Sequence, residues 1–272
     1  MTTEIVIRNI DNSLRDLLRE KQSVYPEKLY NACEYALFPG GKRVRPCLSY
    51  MTADFANVPI KKILPLALSV ELIHNYSLIH DDLPCMDDDD YRRGKPSCHV
   101  AFGEAMAVLA GDCLLNLAYE ILFSAVADDN DLADSAFLIA ESAGGNGMIG
   151  GQAMELCADH FDEESVTELC RKKTGALLTS SIMSVAILSG DKRKIDALST
   201  FSGCLGLCFQ IVDDLLDEQK YEEKSYLAVV GKEKAINMID RLTVLMEKTL
   251  SPFGKQAEEL LSFARSLSFR KS

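Results

Sequence analysis

The chain reads Leu78-Ile-His-Asp-Asp-Leu-Pro-Cys-Met-Asp-Asp-Asp-Asp-Tyr-Arg-Arg-Gly94 at the end of an apolar segment. Because proline disfavours helical backbone at the residue before it, Pro84 predicts that a helix ends near Asp82 or Leu83 and that Asp87 lies on the following loop. Six carboxylates here directly precede two arginines. Mg²⁺ takes oxygen ligands that proteins and phosphates share, and guanidinium groups bind phosphate oxygens in pairs. The stretch therefore indicates metal-bridged phosphate binding, although an acidic run alone is more often a solvated surface.

A second acidic segment reads Phe209-Gln-Ile-Val-Asp-Asp-Leu-Leu-Asp217. Its apolar residues predict a buried helix, in which Asp213 and Asp217 lie on one face, a turn apart. Like charges at this spacing destabilise a helix, and a cation between the carboxylates is the simplest compensation. The alternative, an acidic helix end without a ligand, is weaker because the chain carries two such segments.

The fold class follows from periodicity. Apolar residues recur at helical spacing in 102–127, 137–143, 176–188 and 235–250, while alternating patterns are few. Leu, Ala, Met, Glu and Lys, which favour helices, are abundant. We therefore predict an all-α bundle. Since no linker-like composition interrupts the 272 residues, we predict a single domain over 1–272.

Composition excludes several classes of protein. A formal net charge of −12 argues against nucleic-acid binding, which needs clustered basic residues. Nine cysteines without zinc spacing, and no N-terminal signal segment, predict reduced thiols and a cytoplasmic location. We expect no apolar stretch to reach the roughly 20 residues that span a bilayer, so we predict no integral membrane segment.

Further motifs join the two acidic segments into one pattern, and their order and rough spacing run through most of the chain. The motifs are Gly40-Gly-Lys-Arg-Val-Arg-Pro46, Asp81 to Gly94, Gly111-Asp112, Gly150-Gly-Gln152, Lys173-Thr-Gly-Ala176 and Phe209 to Asp217. On these residues the chain resembles the trans-type polyprenyl synthases, the family of farnesyl and geranylgeranyl diphosphate synthases. The insert Leu83-Pro-Cys-Met86 resembles the bacterial and plastid branch.

The resemblance implies an isoprenoid synthase bundle in which both acidic segments face one deep central cavity, and it implies a homodimer. It also implies a magnesium-dependent dimethylallyltranstransferase or geranyltranstransferase. In this reaction an allylic diphosphate loses pyrophosphate, and its carbocation alkylates isopentenyl diphosphate head-to-tail. Two or three Mg²⁺ ions per site are implied, with Mn²⁺ as an alternative.

The resemblance also assigns residues. The metal ligands are Asp81, Asp82, Asp87, Asp213 and Asp217, and the catalytic set adds Asp214 and Lys173. The isopentenyl diphosphate ligands are Lys42, Arg45, His74 and Arg93. The allylic diphosphate ligands are Arg92, Lys173, Thr174 and Gln210. His74 and Asp81 are two helical turns apart, so we expect both to face one cavity, about 10 Å apart.

Product length is assigned to Tyr76 and Ser77. Tyr76 precedes Asp81 by five residues, about 7.5 Å along a helix, so its ring can block the growing chain. In the resembled family an aromatic residue here goes with short products. We therefore expect farnesyl diphosphate, with geranylgeranyl diphosphate as the alternative.

One departure concerns the family's long loop after the second acidic segment. Only residues 218–223 separate Asp217 from Lys224. We predict that Lys224, or failing it Lys220, supplies the allylic-side cation that the missing segment would have brought. The rival readings are a catalytically weak partner subunit, a non-enzymatic cation-binding protein and a terpene cyclase. Release of pyrophosphate from paired substrates separates them.

Overall fold

The computed structural model describes residues 2–38, 41–216 and 224–269. In these ranges the protein is helical apart from a small hairpin, which confirms the all-α prediction. The helices are α1 (Thr3–Lys21), α2 (Glu27–Leu37), α3 (Val44–Ala56), α4 (Ile60–Asp81), α5 (Cys98–Phe102), α6 (Glu104–Asp128), α7 (Ala133–Ala143), α8 (Met148–Cys157), α9 (Glu163–Cys170), α10 (Ala176–Ala186), α11 (Lys192–Leu216), α12 (Tyr226–Val230), α13 (Lys232–Leu250) and α14 (Glu258–Ser268).

The described chain groups into two compact units. Unit 1 comprises Met1–Tyr50 with Leu64–Asn130, and unit 2 comprises Met51–Ile63 with Asp131–Ser272. The single domain over 1–272 therefore stays a prediction. The common cavity also stays a prediction, because Asp81 belongs to unit 1 and Asp213 to unit 2.

The end of α4 positions the first acidic segment in unit 1. Asp81 is its last residue, and a chain of turns follows. The Asp87 N–H donates to the Asp81 carbonyl over 2.9 Å, and the Asp88 N–H donates to the Leu83 carbonyl over 3.2 Å. The prediction that the helix ends near Asp82 or Leu83, with Asp87 on the loop, is confirmed.

A hairpin then presents the two arginines. Strands β1 (Tyr91–Arg92) and β2 (Lys95–Pro96) pair antiparallel, with Arg92 opposite Lys95. The two residues between the strands have positive φ, 53° at Arg93 and 74° at Gly94. Such left-handed backbone at both central positions matches the right-handed twist of the flanking strands. The turn therefore places Arg92 on a strand and Arg93 at the bend.

The long helix α11 runs through the core of unit 2. Its residues Ile211 and Val212 pack in one apolar cluster with Tyr226, Leu227 and Ile239 of α12 and α13. This packing positions the second acidic segment as far as Leu216. Asp217 and Lys220, which carry two of the sequence predictions, lie outside the described residues, as does Gly40.

A five-residue π-helix, Arg171–Gly175, lies between α9 and α10 and carries Lys173 and Thr174. It packs closely on α11, because a Cβ at Gly206 would lie 2.8 Å from the Gly175 Cα. Single π turns inside α-helical segments are frequent at functional sites. Sequence periodicity did not predict this turn.

Two helices of the described chain, α6 and α11, are long and apolar enough to cross a membrane by length and composition. The most apolar window of α6 is 39% buried in protein and that of α11 is 56% buried. Core helices of soluble proteins pass the same length test. Length therefore does not exclude a membrane span here, and its absence stays a prediction.

Candidate active site

Asp82 and Arg92 form an ion pair within the first acidic segment, in which the carboxylate is buried and the guanidinium is half-buried. Only 2% of Asp82 is exposed. Its Oδ1 accepts hydrogen bonds from the Arg92 Nε over 2.8 Å and from Nη2, and Arg92 also donates to Asp89 over 3.1 Å. Burial raises the pKa of Asp82, and the Arg92 partner opposes that effect. The pair fastens the hairpin to the end of α4.

Asp81 and Asp87 reach the surface at the same point of unit 1. Asp81 is half-buried, Asp87 is exposed, and the backbone hydrogen bond between them holds the two residues together. In the described residues no three or more His, Cys, Asp or Glu side chains are grouped to hold a metal. Two carboxylates match Mg²⁺, which often binds one or two of them and completes its shell with water and substrate phosphate.

Positive charge surrounds His74, the predicted isopentenyl diphosphate ligand on α4. Burial lowers the pKa of this half-buried histidine well below its ordinary value, and the charges of Arg45 and Arg93 lower it further. His74 is therefore neutral at pH 7. Arg45 and Arg93 thus act electrostatically on His74. Lys42, the fourth predicted ligand, is exposed.

A polar chain runs from Arg43 to Arg93. Arg43 is 2% exposed, and it donates to Glu71 Oε1 over 2.6 Å and to Asp11 over 2.9 Å. Asn75 donates to the same Glu71 oxygen over 3.2 Å, and it accepts from Arg93 over 3.5 Å. Arg43 is therefore a structural cation, and its network extends to Arg93.

A cleft of about 450 Å³, including solvent at its mouth, opens beside the hairpin in unit 1. Asn75, Asp82, Arg92 and Arg93 contribute to its lining. Gly41 leaves room for Arg93, because a Cβ there would lie 3.0 Å from the guanidinium Nη2. The cleft thus joins the two arginines that the sequence assigned to different diphosphates.

Tyr76 is buried in α4, with 5% of its surface exposed. Its ring meets that of His80 edge-on, with centroids 5.7 Å apart. The Tyr76 hydroxyl is buried and has no hydrogen-bond partner in the described residues. Burial raises the pKa of Tyr76, so the hydroxyl stays protonated. Ser77, the other predicted length determinant, is half-buried and donates to the His74 carbonyl over 2.9 Å.

The His80 ring explains why glycine stands at position 111 in the Gly111-Asp112 motif of α6. A Cβ at Gly111 would lie 2.1 Å from the His80 Nε2, so only glycine leaves room for the imidazole. The same nitrogen lies 3.1 Å from the Val108 carbonyl. His80 therefore packs α4 against α6.

Two of the predicted allylic residues of unit 2, Thr174 and Gln210, form a hydrogen-bonded chain with Asp214. The Thr174 hydroxyl donates to the Gln210 Oε1, and the Gln210 Nε2 donates to Asp214 Oδ1 over 2.8 Å. Asp214 Oδ2 accepts from the Tyr226 N–H over 2.7 Å. Burial raises the pKa of Asp214, and the two donated hydrogen bonds oppose that effect. Asp214 therefore ties α11 to α12, while its neighbour Asp213 is half-buried.

Two lysines meet at Glu155 of α8. Lys173 forms an ion pair with the Glu155 carboxylate, and Lys224 donates to the Glu155 main-chain carbonyl over 2.7 Å. Lys224 is the first described residue after the gap at 217–223. The structure therefore brings the predicted loop-replacing cation to the same residue as Lys173.

Comparison with known proteins identifies the family to which the chain belongs. Residues 26–233 match the family model described as polyprenyl synthetase. The chain belongs to the polyprenyl synthetase family. Farnesyl diphosphate synthase of Escherichia coli is 41% identical over 223 residues, covering 74% of this chain and 75% of the relative.

A plant relative and a solved structure extend the likeness. Geranylgeranyl pyrophosphate synthase 4 of Arabidopsis thaliana is 36% identical over 239 residues, and the match covers 80% of this chain and 64% of the relative's length. The crystal structure of an FPP/GFPP synthase from Zymomonas mobilis superposes with a TM-score of 0.85 at 37% identity, covering 98% of this chain and all of that one. The relatives thus include synthases of different product lengths.

Glu71, Asn75 and Glu155 make contacts at the site that the sequence did not predict. Each makes its contact with a residue 18 or 28 positions away. For Glu71 and Asn75, a polar residue within an otherwise apolar helical segment was the available signal, because buried polar side chains are as a rule hydrogen-bonded. Glu155 lies three residues after the Gly150-Gly-Gln152 motif and gave no separate signal.

Proposed function

We propose that this member of the polyprenyl synthetase family is a prenyltransferase that condenses isopentenyl diphosphate head-to-tail with dimethylallyl or geranyl diphosphate. The observation that carries the proposal is the hydrogen-bonded chain of Thr174, Gln210 and Asp214. Lys173, the sequence neighbour of Thr174, adds a cationic group on the same π-helix, and together they present cationic and polar groups next to the second acidic segment. An acidic cation-binding protein without substrate has no need for this arrangement.

Lys42, Arg45, His74 and Arg93 are assigned to isopentenyl diphosphate, which needs no metal. Guanidinium groups bind phosphate oxygens in pairs, and a neutral imidazole can donate one hydrogen bond to them. Arg93 is held toward this set by Asn75, which the Arg43–Glu71 pair supports in turn.

Arg92, Lys173, Thr174, Gln210 and Lys224 are assigned to the allylic diphosphate. Asp81, Asp87 and Asp213 would hold Mg²⁺, with Asp217 as a further ligand, and Mn²⁺ is an alternative ion. Bound Mg²⁺ supplies Lewis-acid stabilisation of negative charge on the leaving diphosphate. Asp82 and Asp214 act by positioning, because Asp82 holds Arg92 and Asp214 holds Gln210.

In the reaction the allylic C–O bond breaks and both of its electrons leave with pyrophosphate. The double bond of isopentenyl diphosphate then supplies the electrons for the new C–C bond, and the departing pyrophosphate takes the proton lost in forming the product double bond. The cationic side chains hold the diphosphates, and no side chain has to act as general base.

Pyrophosphate release tests the proposal. The purified chain, incubated with Mg²⁺, isopentenyl diphosphate and geranyl diphosphate, is expected to release pyrophosphate only when both substrates are present. Release from geranyl diphosphate alone would indicate a cyclase or a hydrolase instead. No release from the purified chain, followed by release after addition of a related synthase subunit, would favour the weak partner subunit.

Farnesyl diphosphate is the proposed product, because the buried ring of Tyr76 lies five residues before Asp81 on α4, about 7.5 Å along the helix. Geranylgeranyl diphosphate is the alternative, since both kinds of synthase are among the relatives. A homodimer and a cytoplasmic location complete the proposal. Light scattering is expected to give twice the chain mass of 30.0 kDa, and a single-chain particle at working concentration would contradict the dimer.

Lys224→Ala is expected to raise the KM for the allylic diphosphate and to leave the KM for isopentenyl diphosphate unchanged. Its ammonium group lies at the Glu155 carbonyl, next to the Lys173 ion pair, where it can bind the same diphosphate. Steady-state kinetics with each substrate varied separately measures both constants. Lys234→Ala, at an exposed lysine of α13, is the matched control. Unchanged constants in Lys224→Ala would show that the site works without this cation.

His74 is expected to make the protein less stable below the ordinary histidine pKa, about 6.5. The folded pKa is lowered, so the unfolded chain takes up the proton first as the pH falls, and proton uptake then favours unfolding. Above about 6.5 this contribution is absent. Melting temperatures of the wild type and His74→Gln, compared between about pH 5 and about pH 8, should diverge only on the acidic side. A constant difference across the range would contradict the lowered pKa.

A further inference from the structure

Glu155 of unit 2 is an anion, yet it contacts two lysines that are assigned to the allylic diphosphate. Its side chain is 19% exposed and pairs with Lys173, whose side chain is 27% exposed. Its main-chain carbonyl accepts from Lys224 over 2.7 Å. One residue therefore holds two lysines through two different groups.

We propose that Glu155 is a positioning residue of the allylic diphosphate site, whose carboxylate orients Lys173 while its carbonyl orients Lys224. The proposal rests on the proposed function. A carboxylate repels a diphosphate, so Glu155 does not bind the substrate itself and acts through the lysines. Lysine side chains lose considerable rotamer freedom when they bind, and a lysine held in place beforehand loses less on binding.

The helix that carries Glu155 is fixed against the π-helix at close range. A Cβ at Gly151 would lie 2.3 Å from the Lys173 backbone nitrogen, so the two backbones touch at this point. Glu155 follows Gly151 by four residues and lies on the same face of α8. Backbone contact thus fixes both ends of the Glu155–Lys173 pair.

The Gln152 amide provides a second observation that indicates a bound ligand near Glu155. Its Nε2 is buried and has no hydrogen-bond partner in the part of the chain that the structure describes. Buried donors are as a rule satisfied by protein, water or ligand. Gln152 lies one turn before Glu155 on α8, where a diphosphate oxygen or its water shell can accept from it.

The test compares Glu155→Ala, Glu155→Gln and Glu155→Asp. Glu168→Gln is the matched control, since Glu168 pairs with the neighbouring Lys172 over 3.8 Å at a more exposed site. The measurements are the KM for geranyl diphosphate, the KM for isopentenyl diphosphate, and calorimetric binding of inorganic pyrophosphate with Mg²⁺. Melting temperatures check that each variant folds.

Glu155→Ala is expected to raise the KM for geranyl diphosphate and the Kd for pyrophosphate by about 10-fold, the lower end of the range for losing a group that orients a ligand. The KM for isopentenyl diphosphate should stay unchanged. Glu155→Asp should recover part of the loss and Glu155→Gln less, because only a carboxylate keeps the ion pair. Tighter pyrophosphate binding in Glu155→Ala would overturn the proposal, since Glu155 would then compete with the diphosphate, and unchanged binding would overturn it equally.

Double variants separate the effect of the Glu155 carboxylate on Lys173 from the effect of the Glu155 carbonyl on Lys224. Glu155→Ala keeps the main-chain carbonyl, so its effect should add to that of Lys224→Ala, whereas with Lys173→Ala the combined effect should equal that of Lys173→Ala alone. If Lys173→Ala changes neither constant, the assignment of Lys173 under the proposed function is wrong. If Lys173→Ala weakens allylic binding and Glu155→Ala does not, only the positioning role is wrong.

Discussion

Alanine at Asp81 or at Asp213 is expected to lower kcat by about 10²- to 10³-fold, the range for losing one group that stabilises developing charge. Each residue is half-buried at the end of a long helix, and each is assigned to hold Mg²⁺ against the leaving diphosphate. The effect should fall on kcat more than on the KM for isopentenyl diphosphate, whose site needs no metal. Single-turnover rates with saturating substrates measure it.

Two exposed aspartates serve as controls for these variants. Asp90→Ala lies in the same acidic run as Asp81, and Asp196→Ala lies on the same helix as Asp213. Both should turn over at wild-type rates, because neither residue belongs to the predicted ligand set. Asp214→Asn should instead lower the melting temperature, since Asp214 joins α11 to α12. Near-normal rates for Asp81→Ala and Asp213→Ala at saturating Mg²⁺ would contradict the metal assignment.

Tyr76→Ala is expected to change the main product from C15 to C20 or longer. The ring is buried on α4, about 7.5 Å along the helix from Asp81, and its removal opens depth without touching the groups assigned to the diphosphates. Removing a large buried ring also destabilises the protein by about 3 to 5 kcal/mol, so the melting temperature should fall as well. Chromatography of the dephosphorylated products identifies the chain length.

Two matched variants separate the effect of removing the Tyr76 ring from the effect of removing its hydroxyl and from the effect of a general loss of packing. Tyr76→Phe should keep the C15 product at no cost in stability, because the hydroxyl that it removes is buried without a partner in the described residues. Tyr30→Ala, at another buried tyrosine of unit 1, should destabilise the protein and leave the product unchanged. A C15 product from Tyr76→Ala, or C20 from the wild type, would show that another residue sets the length.

Local rules of the sequence were enough for the helical class and for the end of α4. The predicted apolar stretches 102–127, 137–143, 176–188 and 235–250 coincide with α6, α7, α10 and α13, because a helix that buries one face repeats its apolar residues at the helical period. Helix α4 ends at Asp81, shortly before Pro84. The proline ring clashes with helical backbone at the residue before it, and this local clash does not depend on distant residues.

The Gly-rich motifs were visible in the sequence, but the contacts that require glycine at these positions were not. Gly111 admits the His80 ring, and Gly151 admits the backbone of Lys173. Both are contacts between helices whose approach depends on the rest of the packing. The spacing of the motifs therefore indicated the family, while the atoms that need glycine emerged only in the folded chain.

The sequence by itself determined which residue types the site contains: carboxylates for a hard cation, and arginine, lysine and histidine for phosphate. The tertiary structure decided which of these are held by others. It paired Asp82 with Arg92, Arg43 with Glu71, and Lys173 with Glu155. The physical reason is that a buried charge needs a partner, and that partner is chosen by which side chains the packed helices bring within a few ångströms, not by their distance along the chain.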